Sequence, residues 1–145
     1  MARGYPDFFG YSVFPYSGIN TFQPVLVGHI DAPGAEDIFS INVKGIVRGG
    51  FFSLQDAESP QIITIDATVD GVAIGGWRLD LMRGFNIQEP DLSLTYFSVY
   101  NPDLSFYALG ITPEVSFGQD YSVRVQNLGA VEVIVQGALF YTWII

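Results

Sequence analysis

Residues 61–79 hold the pattern that most constrains this chain. Ile63, Ile65, Ala67 and Val69 alternate with Ile62, Thr64, Asp66 and Thr68, and Asp70-Gly71 then leads into Val72, Ala73 and Ile74. Strict alternation places successive side chains on opposite faces of a strand. An Asp-Gly pair between two such runs suits a two-residue type I′ turn, because both central residues need positive φ. The segment predicts an antiparallel hairpin.

The same period recurs along the chain. Residues 22–30 are rich in Val, Leu and Ile, with Pro24 marking an edge or a strand start. Asp31 to Gly34 is a turn. Residues 38–55 alternate over a long stretch, and Gly45, Gly49 and Gly50 inside it point to a bulge or sharp bend. Asp56 to Pro60 is a polar turn, and residues 80–91 lose the alternation, leaving a longer connection with room for a helical turn. Residues 92–100 read as a strand with Leu92, Leu94, Tyr96, Ser98 and Tyr100 on one face. Asn101 to Asp103 turns, and short strands follow near 104–109 and 113–118. Tyr121, Val123 and Val125 alternate with Ser122, Arg124 and Gln126, and a last long strand covers about 131–144. Roughly eight to ten strands, with a turn about every 8–12 residues, make an all-β sandwich. The reading is a single-domain antiparallel β-sandwich, jelly-roll-like, over residues 23–145. An immunoglobulin-like sandwich is the alternative, without its Cys–Trp–Cys pattern, since the chain has no cysteine.

Two segments do not fit a sheet with one wet face. Residues 1–22 carry Tyr5, Phe8, Phe9, Tyr11, Phe14, Tyr16 and Phe22 among Gly4, Pro6, Gly10, Pro15 and Gly18. Gly and Pro at this density break regular structure, while a disordered tail is poor in aromatics. This extended aromatic N-terminal arm packs along its own domain, on a neighbouring subunit or other protein, or is free. The second segment is the end of the last strand. Leu139, Tyr141, Trp143 and Ile145 take one face, and Ala138, Phe140, Thr142 and Ile144 the other. Both faces are apolar where antiparallel sheets usually alternate, and a strand left bare in this way is an aggregation hazard. Phe140, Tyr141, Trp143, Ile144 and Ile145 are therefore candidates for an oligomer interface; cover by the chain's own arm or a loop is the other reading.

Composition removes several functions. Hydrophobic residues are 49% and charged residues 14%, against about 25% charged in an average domain. The net charge is −9, from 15 acids and 6 bases, which repels phosphate and argues against nucleic acid. Without cysteine there is no disulfide, thiolate nucleophile or iron–sulfur site. No apolar run is long enough for a membrane-spanning helix, and the N-terminus does not read as a signal peptide.

Catalytic and metal constellations are equally thin. A Ser–His–acid set would need His29, the only imidazole, which sits among Val25, Leu26, Val27, Gly28 and Ile30 and reads as structural. No Gly-x-Ser-x-Gly elbow accompanies it. Metal sites of the zinc type need several His or Cys ligands and are excluded, so no metal site is expected. Asp31, Glu36 and Asp37 in one loop, and Asp56 and Glu58 in another, lack the spacing of a calcium loop and read as solvated acids. No phosphate-binding loop is present, so neither enzyme nor cofactor is expected. Trp77, Tyr96, Tyr100 and Tyr107 are the aromatics that could face a glycan.

The chain resembles the small, acidic, cysteine-free all-β virion proteins of tailed bacteriophages. The resemblance lies in the arm from Arg3 to Gly10, the hairpin from Ile65 to Val72, and the closing strands from Tyr121 to Trp143. It implies a virion protein of the capsid decoration (cement) or head-knob type, most simply a decoration protein working as a homotrimer on the outer shell and assembled in the host cytoplasm. Tyr5, Phe8, Phe9, Tyr11, Phe14 and Tyr16 would anchor it to a major capsid protein or another virion protein. A tail-fibre module that recognises host-surface glycan is the alternative the same resemblance allows.

Overall fold

The computed structural model describes residues 18–90 and 93–144. Its strands are β1 (Gly18–Pro24), β2 (His29–Ile30), β3 (Gly34–Ile41), β4 (Gly45–Gln55), β5 (Ile63–Val69), β6 (Val72–Arg78), β7 (Thr95–Asn101), β8 (Phe106–Ile111), β9 (Val115–Phe117), β10 (Tyr121–Asn127) and β11 (Val133–Ile144). One short helix, α1 (Leu79–Gly84), occupies the connection that lost its alternation. Residues 1–17 and Ile145 lie outside the described residues, and with them Tyr5, Phe8, Phe9, Tyr11, Phe14 and Tyr16 of the arm. Residues 18–22, grouped with the arm by sequence, belong to β1 and pair with β11.

Two antiparallel sheets pack face to face. The larger runs β1-β11-β4-β8-β7, with β2 also on β11 and β9 also on β4; the smaller runs β3-β10-β5-β6. The pairs nest: β5 with β6, β4 with β9, β3 with β10, and β1 and β2 with β11. That nesting is one long hairpin rolled into two sheets, the jelly-roll arrangement. The hairpin at Asp70-Gly71 is the innermost fold of the roll, with φ of 52° and 80° at its two central residues. The hairpin β7–β8, with α1 before it, is inserted between β6 and β9 and widens the larger sheet.

The core lies between the sheets. Ile63, Ile65 and Ala67 from β5 and Tyr121, Val123 and Val125 from β10 meet Val47, Phe52 and Leu54 from β4 and Leu139 from β11, all buried. Phe39 and Phe52 make an edge-on contact across the gap, with centroids 6.3 Å apart. The Gln23 amide adds a polar stitch from β1 to β3: it donates to the Ser40 carbonyl and accepts the Ser40 N–H, each at 3.0 Å.

Two local expectations change. Residues 38–55 are not one strand: β3 ends at Ile41 in the smaller sheet and β4 starts at Gly45 in the larger. The anticipated bulge is present: pairing with β11 steps from Gly49 to Val47 and leaves Arg48 unpaired. In β7, a register shift between Phe97 and Val99 puts Tyr96 opposite Gly110 and Tyr100 opposite Tyr107. Tyr96 and Tyr100 therefore face opposite sides of the sheet, not one.

Candidate interaction surfaces

The outward faces of the two sheets differ in kind. On the smaller sheet, Thr64, Asp66 and Thr68 of β5 stand beside Ser122, Arg124 and Gln126 of β10, the polar outside expected of a sheet with one wet face. Arg124 pairs there with Asp37 at 3.3 Å.

On the larger sheet, register builds an apolar row. Pro24 faces Ala138, Ala138 faces Phe51, Phe51 faces Gly110, and Gly110 faces Tyr96. The side chains of Phe51 and Tyr96 in this row point away from the core, because Phe52 and Phe97, next in line on their strands, point into it, and Gly110 between them carries no side chain. One row along, Phe22 faces Phe140 with ring centroids 6.2 Å apart. Phe22 is 61% exposed, Phe51 56% and Phe140 44%. Each large aromatic can bury roughly 150–250 Å² against a partner, and contiguous exposed apolar patches of several hundred Å² mark interaction sites.

A polar chain borders this patch. Thr142, nearly buried, donates to Asn20 Oδ1 at 2.7 Å and accepts from Arg48 Nε at 3.0 Å. Arg48 Nη1 reaches both Glu114 carboxylate oxygens at 3.1 Å. An apolar centre with a satisfied polar rim is the usual anatomy of a binding patch.

The interface candidates on β11 separate. Phe140 joins the aromatic face. Trp143 is 42% exposed and pairs with Ile19, itself exposed, on the side of the sheet that turns inward. Tyr141 and Ile144 are half-buried. Ile145 lies outside the described residues. Leu139 of the same segment is fully buried in the core between the sheets, so the chain supplies part of the double cover this strand requires.

The aromatics considered for a glycan do not assemble into a platform. Tyr107 is buried, Tyr100 packs edge-on against Tyr107 and Phe97 with centroids 5.2 Å apart, and Trp77 packs on Phe85 at 5.8 Å. Burial raises the pKa of the Tyr107 phenol. Sequence alone gave no sign that Phe22 and Phe51 share a face with Phe140, since they come from three strands far apart along the chain.

An open cleft of about 530 Å³ lies between Lys44, Gly45, Ile46, Asp70, Ser116, Phe117, Gly118 and Ile144. Its Asp70 carboxylate is engaged by the backbone N–H groups of Gly118, Gln119 and Asp120, which hold its pKa below the ordinary value. His29 is not the structural residue of an apolar run that its neighbours suggested: its side chain is exposed, while Ile30 beside it is fully buried. No helix among the described residues is long and apolar enough to cross a membrane.

No protein-family model matches the chain, and no curated protein matches it in sequence. Among solved structures, it is similar to a chain of the "Cyanophage Pam1 capsid asymmetric unit", with 14% identity and a TM-score of 0.46 over 92% of this chain and 91% of that one.

Proposed function

We propose that the protein is a structural virion protein of a bacteriophage, a decoration or cement protein that works by adhesion. The observation that carries this reading is the aromatic outer face of the larger sheet, Phe22, Phe51 and Phe140, set against the polar outer face of the smaller one. One sheet's outer face is aromatic and the other's is polar, as a subunit laid on a shell requires. The charge of −9 is harmless outside a shell that holds the nucleic acid within. In this reading residues 5–16 anchor the subunit to a capsid protein, three copies associate through the end of β11, and assembly takes place in the host cytoplasm.

The test is the position of the chain in a particle. Cryo-electron microscopy of virions from the source phage is expected to show its sandwich repeated over the outer shell. Density confined to the tail would transfer the reading to a tail-fibre module, and absence from the particle would end it. A native mass spectrum at micromolar concentration is expected to show trimers; a clean monomer contradicts the trimer.

A further inference from the structure

His29, the single imidazole, stands in β2 at the far end of β11 from Phe140. Pairing places His29 opposite Ile134 and Ile30 opposite Val133, and Asp31 and Glu132 lie just beyond the paired ends of β2 and β11. Ile30 and Val133 are fully buried, which turns His29, Asp31 and Glu132 together to the outside. His29 Nε2 lies 3.5 Å from Asp31 Oδ1 and 3.8 Å from Glu132 Oε2. The three donor atoms all fall within 4.8 Å of one another.

Three physical points bear on this cluster. Neighbouring carboxylates repel, and among the described residues no Lys or Arg pairs with Asp31 or Glu132. The imidazole-to-carboxylate distances are long for hydrogen bonds. They approach the edge of about 3.3–3.6 Å between donors that each sit about 2.0–2.2 Å from a tetrahedral ion.

The third point is the support beneath. Asn127 is fully buried, and its Nδ2 donates to the Val131 carbonyl at 2.9 Å and the Ile30 carbonyl at 3.4 Å. Its Oδ1 accepts the Gly129 N–H at 3.0 Å. Ile30 lies between His29 and Asp31, and Val131 precedes Glu132. One buried, satisfied amide thus ties together the two chain segments that carry the three donors.

We propose that His29, Asp31 and Glu132 bind one divalent cation of the imidazole-preferring class, represented by zinc. Magnesium and calcium favour all-oxygen sets, and an imidazole nitrogen among the donors selects against them. The exclusion of zinc drawn from the count of imidazoles and thiols holds only for sites built from those groups alone. This one is completed by carboxylates, one of which strand pairing brings in from far along the chain. The bound ion ties β2 to β11 and cancels the repulsion between Asp31 and Glu132.

The test is titration of the full chain with zinc chloride near neutral pH, followed by calorimetry and by the imidazole proton NMR signals. With one histidine, those signals report the site directly. The expected result is saturable binding of one ion with a shift of the His29 signals, weakened at least about tenfold in His29→Ala and in Glu132→Gln. Asp103→Asn, a remote exposed acid, leaves it unchanged, and magnesium chloride does not shift the signals. No saturable binding below roughly 1 mM, an affinity indifferent to His29→Ala, or equal binding of magnesium would overturn the proposal.

Discussion

Asp70 and Asp120 lock two turns together by reciprocal hydrogen bonds. The Asp70 carboxylate accepts the Asp120 N–H at 3.2 Å, and the Asp120 carboxylate accepts the Gly71 N–H at 3.2 Å. Asp70 also takes the N–H groups of Gly118 at 2.9 Å and Gln119 at 2.7 Å. The innermost hairpin of the roll is thereby pinned to the connection between β9 and β10. Those donors favour the ionised carboxylate, with Gly118 the largest contributor, and the Asp70 pKa is lowered.

A lowered folded-state pKa means that the unfolded chain takes up the proton first as pH falls. The stabilisation is complete above the ordinary aspartate range and is lost as pH falls through the lowered folded value. Asp70→Asn, which tolerates the same left-handed backbone, is expected to lower Tm at neutral pH. That gap should close as the medium becomes acidic. Thermal melts of both proteins across the pH range check it, and a gap of constant size down to strong acid contradicts it.

Gly137 is required by space and by conformation. Its φ is +155°, and a Cβ there would collide with the Phe51 carbonyl oxygen and lie 2.6 Å from Phe52 Cα. Gly137→Ala forces β11 and β4 apart beside Phe51. A loss of about 2–4 kcal/mol is expected, read from urea unfolding. A loss under about 0.5 kcal/mol, the size of an ordinary surface change, would show that the strands do not approach as described.

Tyr121 has the opposite character. Its hydroxyl is buried without a hydrogen-bond partner among the described residues, and burial pushes its pKa up. An unpartnered buried hydroxyl costs about 1–3 kcal/mol. Tyr121→Phe is therefore expected to hold or raise stability, by about 1 kcal/mol. Loss of more than that amount in denaturant unfolding would mean that the hydroxyl has a partner.

Much of the fold was legible because its signals are local. The alternation of β5 and β10 and the Asp70-Gly71 turn are written in consecutive residues, and they set the tip of the roll and the centre of the smaller sheet. The break between β3 and β4 was hidden because alternation runs unbroken through Asn42, Val43 and Lys44. The shift at Ser98 reversed the faces of Tyr96 and Tyr100 with no turn residue to announce it. The aromatic face was half visible. Phe140 stood out in a strand apolar on both sides, but Phe22 and Phe51 join it only through pairings between distant strands. His29 looked structural because its neighbours are apolar, but Ile30 takes the buried face and the alternation of β2 turns His29 away from it.

In the proposed function the larger sheet's aromatic face attaches this protein to a shell. The most direct measurement is the copy number per virion of a Phe51→Ser/Phe140→Ser double variant, set beside its Tm. Both side chains are exposed, so Tm should fall only slightly, by no more than about 1 kcal/mol in stability. The prediction is that the variant stays folded yet falls at least about tenfold in copy number, the equivalent of about 1.4 kcal/mol of binding. A folded variant present in the particle at the wild-type copy number would contradict the claim.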